Sequence, residues 1–253
     1  MAVRRRVLLG VAGLALALAA LPVLAEDVTP NRGELVWGTL IQPTDRYDHR
    51  VFGDLPSYGA MKLQINVCLG CAGLRLRDLV VTLPPTRVFE DTDVRIRDLD
   101  ADGFAEAVVV ETDIARGATL AVYDATGKRA ATAPVGQTHR WLAPAGIGDF
   151  DGDGGLEIAY VDRPHLAREL VFVRYAQGAL TEVARSPGFT NHRFGAPMIT
   201  GGVQTCNGVD AVILVSADWS RIVSVRLEGG QVMATDLGPY GTDADLRAAM
   251  DCP

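Results

Sequence analysis

The chain lacks most of what would assign it a reaction. It has no Gly-x-Ser-x-Gly elbow and no glycine-rich phosphate loop, so neither a nucleophile turn nor a nucleotide cradle can be read from it. Only four histidines and four cysteines occur in 253 residues, which leaves few candidates for a general base. Positive charge is in deficit, with 24 Lys and Arg against 31 Asp and Glu and a net charge of −7. A nucleic-acid partner is therefore not expected, because phosphate binding needs a basic face. The apolar run from Val7 to Ala20 is too short to span a bilayer. No low-complexity linker divides the chain, so one domain is expected rather than two.

What is present begins with a leader pattern. Arg4, Arg5 and Arg6, the apolar run and the small-residue site Val23-Leu24-Ala25 predict a secretory signal over residues 1–25. Cleavage there would remove three arginines and no acid, taking the net charge to −10 over residues 26–253. The product is expected in the periplasm or outside the cell, with no stable membrane span. In that setting four cysteines suggest two disulfides, of three possible connectivities. Cys68 and Cys71 lie between two strand-like runs and would staple a hairpin loop, and Cys206 with Cys252 would tie back the tail. A redox pair or half a zinc site are the alternatives for Cys68-x-x-Cys71.

The most informative segments are two acidic loops 51 residues apart: Asp98-Leu99-Asp100-Ala101-Asp102-Gly103-Phe104-Ala105-Glu106 and Asp149-Phe150-Asp151-Gly152-Asp153-Gly154-Gly155-Leu156-Glu157. Both place an acid at positions 1, 3, 5 and 9 and glycine at 6. Hard cations such as Ca²⁺ take six to eight oxygen ligands at about 2.3–2.6 Å, and alternate carboxylates in a tight turn supply them. Glycine at 6 permits a positive φ, so that the carbonyl of position 7, Phe104 or Gly155, can also reach the ion. Crowded aspartates without a cation would repel one another. Unlike an EF-hand, each loop runs into apolar β-favouring residues, Ala107–Val110 and Ile158–Val161, so it joins two strands. Two calcium sites are expected, with the glutamates less certain ligands than the aspartates.

Aligning the loops also aligns their flanks at a period of about 51–53 residues, each repeat holding four short strand candidates. Approximate repeats cover 33–84, 86–134, 138–186 and 192–238, the first and last without acidic loops. The prediction is an all-β fold, a small β-propeller of about four blades of four antiparallel strands, with five blades or an open ring as alternatives. The Asp-x-Asp-x-Asp-Gly-x-x-Glu string between two strands resembles the FG-GAP/VCBS repeats, the bacterial relatives of integrin α-subunit propeller repeats. The resemblance covers roughly 86–184 well. It implies Ca²⁺ held by Asp98, Asp100, Asp102, the Phe104 carbonyl and Glu106, and by Asp149, Asp151, Asp153, the Gly155 carbonyl and Glu157.

No catalytic residue is assigned. His139 and His192 recur at equivalent repeat positions and read as inter-repeat packing, whereas His49 and His165 fall in polar turns and read as solvated. Trp37, Trp141, Trp219 and Tyr58 read mainly as core or rim aromatics. The function expected is a non-catalytic, calcium-stabilised module binding a protein or glycan. The alternatives are a hydrolase or lyase, which requires His49, His139 and His192 to converge at one mouth of the ring, and an accessory subunit of an envelope assembly.

Overall fold

In a computed structural model, residues 33–252 are described; the expected leader lies outside them. The described chain is all-β apart from one short helix. A first set of antiparallel strands holds β1 (Glu34–Thr44), β2 (Ser57–Asn66) and β3 (Leu76–Thr82). A second holds β4 (Arg87–Phe89), β5 (Arg95–Arg97), β6 (Glu106–Asp113), β7 (Gly117–Asp124) and β8 (Gly127–Ala131). The third holds β9 (Leu142–Gly148), β10 (Glu157–Asp162), β11 (Glu169–Ala176) and β12 (Ala179–Pro187). The fourth holds β13 (Phe189–Thr190), β14 (Gly202–Cys206), β15 (Val209–Ser216), β16 (Arg221–Glu228) and β17 (Gln231–Pro239), and α1 (Asp243–Ala249) follows it. Strand β4 pairs with both β2 and β6, fusing the first two sets into one eight-stranded sheet.

The sets stack face to face because their middle strands are apolar on both sides. Along β6, Val108 and Val110 enter one cluster while Ala107 and Val109 enter another. Strand β10 does the same with Ile158 and Tyr160 on one side and Ala159 and Val161 on the other. Alternate side chains of a strand point to opposite faces, so an uninterrupted apolar run is what a sheet buried on both faces requires. Three clusters thus lie between successive sets, and a fourth lies beyond the last.

Among the described residues the sheets do not close into a ring. The outer face of the fourth set is covered by α1, with Leu246 buried against Ala211, Ile213, Val215 and Ile222. Thr242 caps this helix: Asp245 N–H donates to its Oγ1, and the Asp245 carboxylate accepts from Thr242 N–H at 2.7 Å, a reciprocal capping box. At its other end Gln204 Nε2 donates to the carbonyls of Ala249 and Asp251. The far face of the first set stays open to solvent, with Trp37 and Val80 nearly half exposed; Lys62 lies 5.7 Å over the Trp37 ring and pairs with Asp78.

The first set has three strands rather than four, because Val51–Asp54 forms a turn. Val51 and Phe52 leave their own sheet and bury in the cluster between the second and third sets. The loop 45–56 therefore straps the stack at one end, and the Gly195 amide donates to the Val51 carbonyl at 2.8 Å. Gly53 sits at φ +66°, where a Cβ would meet the Gly195 carbonyl oxygen at 2.7 Å, so no side chain fits there.

The expected cysteine pairs form: Cys68–Cys71 in the β2–β3 loop and Cys206–Cys252, which holds the segment after α1 against β14. Two disulfides place the folded chain in an oxidising environment. Among the described residues no helix is long and apolar enough to cross a membrane. The longer bridge spans 46 residues, worth about 4 kcal/mol by the chain-entropy relation. Cys206→Ser should therefore lower the denaturant midpoint markedly and expose the face under α1 to a hydrophobic dye. Cys68→Ser should cost less in the same titration.

Candidate metal centre

The acidic loops connect β5 to β6 and β9 to β10, so each joins two strands as expected. Their backbones correspond closely. Position 6 has φ +86° at Gly103 and +87° at Gly154, and position 4 is also left-handed, at Ala101 (+58°) and Gly152 (+76°). In each loop the acids at 1, 3 and 9 converge: one donor oxygen each from Asp98, Asp100 and Glu106, and from Asp149, Asp151 and Glu157, lies within 4.8 Å of the others. Oxygens bound to one ion at about 2.4 Å can stand no farther apart than that.

The acids at positions 5 and 9 are placed differently. Glu106 and Glu157 are buried, and each accepts the amide of position 2 on Oε2, from Leu99 at 2.9 Å and Phe150 at 3.1 Å. That bond fixes the longer side chain. Asp102 and Asp153 stand outside the converging groups and accept the amides of Phe104 and Gly155.

Electrostatically the two loops are unlike, and the difference arises one strand away. Glu157 faces Arg174 across the β10–β11 ladder, and Arg174 Nε donates to Glu157 at 2.8 Å while its terminal nitrogens reach Asp153 at 2.8 Å and Asp151 at 3.2 Å. A cation is thus already built into the second loop. Gly155 leaves the room for it, since a Cβ there would stand 3.2 Å from the guanidinium carbon. In the β6–β7 ladder Ala107 pairs with Tyr123, so the residue corresponding to Arg174 is Asp124, another acid. Among the described residues no ion pair joins Asp98, Asp100 or Glu106 to a base, and Asp98 Oδ1 is buried without a hydrogen-bond partner.

The protonation equilibria record the same asymmetry. Burial, reinforced by the charges of Asp100, Asp102 and Asp98, pushes Glu106 up to about 7 despite the Leu99 amide. Glu157 is also raised by burial, but Arg174 opposes the shift. Asp100 is raised by burial and by Asp102. An orphaned carboxylate oxygen beside acids that resist ionisation is a donor set that fits a hard cation.

In the fourth set Asp210, at the divergent loop, accepts the Asp149 amide at 2.9 Å, so it supports the second loop instead of forming a third. Sequence reasoning missed Arg174 and Asp210. The contrast of Asp124 with Arg174 at one repeat position was the available signal.

A second gathering lies at the strapped end. All four histidines meet there. His49, expected in solvent, is 8% exposed, with Nδ1 2.7 Å from Glu90. His139 is 2.7 Å from Asp48 and its ring centre is 5.3 Å from that of His49. His165 Nε2 lies 3.0 Å from His192 Nδ1, and burial lowers both, His165 to about 4. Trp141, buried at their centre, donates to the Glu90 carbonyl at 2.8 Å. The arginines before the third strands make pairs within their own sets, Arg116 with Asp113 and Arg221 with Asp236.

No protein-family model matches the chain, and no curated protein does.

Two outcomes follow for the metal-free protein. A carboxyl raised in the folded state stabilises fully below its unfolded value near 4.5 and loses that contribution as pH rises through about 7. In chelator, the stability difference between wild type and Glu106→Gln should therefore shift against wild type across that window, read by denaturant titration at several pH values. Arg174→Gln should cost the chelated protein about 3 kcal/mol, because Glu157 loses its partner, and should enlarge the stabilisation that Ca²⁺ gives.

Proposed function

We propose that the chain is an exported, calcium-stabilised binding module of the FG-GAP/VCBS type, built as an open propeller-like stack and without catalytic activity of its own. The carrying observation is the pair of matched loops in which three carboxylates converge, one with a buried oxygen that has no partner. Each loop joins two consecutive strands of its set, so the ion supports architecture at the edge of the stack. Ca²⁺ fits better than a softer metal because every donor is oxygen.

The surface offered to a partner is the groove of about 350 Å³ between the 196–201 segment and α1, lined in part by Trp219, Tyr240, Arg193 and Met198. Arg193 lies 3.8 Å over the Trp219 ring. Aromatic faces beside polar and charged groups suit a sugar or an extended peptide. The second reading, a hydrolase or lyase, gains from the gathering of His49, His139 and His192 at one end, but the hydroxyl beside them, Thr138 Oγ1, stands a long 3.5 Å from His139 Nδ1.

Binding to the folded state alone adds RT ln(1 + [L]/Kd), about 2.7 kcal/mol at a hundredfold excess. Ca²⁺ should raise the melting temperature of wild type, and Asp98→Ala should remove more of the rise than Asp149→Ala. An unchanged melting temperature in both chelator and millimolar Ca²⁺ would end the metal assignment. Trp219→Ala should abolish retention on a glycan or peptide array at unchanged melting temperature.

A further inference from the structure

The groove between the 196–201 segment and α1 carries an inference that rests on its reading as the partner surface and narrows what it takes. Trp219 sits there, in the β15–β16 turn, at φ +61°. A bulky side chain in the left-handed region is an outlier, and such strain gathers where a site uses it. The turn holds it in place: Asp218 Oδ1 accepts from Ser216 Oγ at 2.6 Å and Ser220 Oγ at 2.8 Å, and the Arg221 amide donates to Ser216 Oγ at 3.0 Å. The ring packs on Tyr240 at 5.5 Å and against the buried cluster around Leu246. The Arg193 guanidinium lies 3.8 Å over its face. What Trp219 presents on that side is therefore a guanidinium and not a bare ring on which a sugar could stack.

A guanidinium stacked on an aromatic face keeps its N–H groups in plane, and that edge is the fork that takes a carboxylate bidentately. Among the described residues neither Arg193 nor Arg247 of α1 forms an ion pair, whereas Arg221 in the same set pairs with Asp236 at 2.7 Å. The one acid in the lining, Asp243, accepts the Tyr240 hydroxyl at 2.7 Å. Arg193 opposes the rise that burial and Asp243 impose on that hydroxyl, so its charge acts at the groove wall. Two arginines against one engaged acid leave a positive groove on a chain of net charge −7. An anion fits it. Beside the arginines Met198 is 69% exposed, with Ile199 next in the lining. Methionine adapts to irregular apolar partners, which peptide side chains supply and a chain of uronic acids does not.

We propose that the groove binds a peptide segment in which a carboxylate side chain stands beside an apolar one. The carboxylate docks on the free edge of Arg193, Arg247 adds attraction from α1, and the apolar side chain covers Met198 and Ile199. Trp219 is a positioning residue here, holding the guanidinium flat and so fixing the direction of the fork. Lysine in place of Arg193 would keep the charge and lose the fork.

The test is fluorescence anisotropy of the intact, Ca²⁺-saturated protein with a labelled peptide, Gly-Leu-Glu-Leu-Gly amide, against its glutamine counterpart, Gly-Leu-Gln-Leu-Gly amide, and against a labelled galacturonate trisaccharide. The glutamate peptide should bind about 10–100-fold more tightly than the glutamine one, the range of a charge-assisted bidentate pair. Arg193 is exposed, so Arg193→Lys should lose most of that preference at unchanged melting temperature, and Arg193→Gln all of it. Equal binding of the two peptides, an undiminished preference in Arg193→Lys, or binding of the uronate in place of the glutamate peptide would overturn the inference. The peptide comparison on wild type decides even where a variant fails to fold. Retention of a neutral glycan or peptide through Trp219, untouched by Arg193→Gln, would leave the binding reading standing and sink the carboxylate alone; retention of nothing would sink both.

Discussion

A sheet that is apolar on both faces cannot end a stack, and the rest of this structure answers that constraint. The second and third sets expose neither face, and their middle strands contribute to the clusters on both sides. The first and fourth sets must therefore present one dry face each and manage the other. The fourth does so with α1, held by its capping box, by Gln204 and by the Cys206–Cys252 bridge. The first instead presents a mixed surface, where Trp37 and Val80 stand beside Lys62 and Asp78 on a short three-strand sheet. The loop 45–56 adds what sheet stacking alone does not supply, a connection from the first set to the clusters of the later ones.

Within that frame the acidic loops show how one string of residues takes two electrostatic states. Their backbones share left-handed positions 4 and 6, and their glutamates share the same amide bond. What differs is the facing strand. Arg174 neutralises the second loop from within, whereas the first has Asp124 at the corresponding place. Among the described residues the first loop has no ion-pair partner for Asp98, Asp100 or Glu106, while the second holds a built-in competitor for a cation.

The sequence made the middle of the molecule legible and its ends illegible, for a physical reason. Strand β10 could be read to within a residue or two because the apolar run Ile158–Val161 and the repeat both point to it. The turn at Val51–Asp54 looks like a strand because its two large apolar residues are buried, yet they are buried in a neighbouring cluster. Helix α1 is only seven residues long, and its Thr242-x-x-Asp245 cap went unread beside a stronger repeat pattern. His49 was read as solvated because its neighbours Asp48 and Arg50 are polar; Glu90, which draws it inward, is 41 residues away. The glutamates at position 9 were underrated for a similar reason, since the amide that fixes each belongs to loop geometry rather than composition.

The position of α1 in chain order has a consequence for how the molecule is made. The cover of the fourth sheet is synthesised after the sheet itself, and its tether needs Cys252 to meet a cysteine 46 residues earlier. Until then the apolar face of β15 and β16 is a sticky surface awaiting its lid. Completion of the fold is thereby tied to oxidation, and a chain delivered to a reducing compartment would remain unsealed.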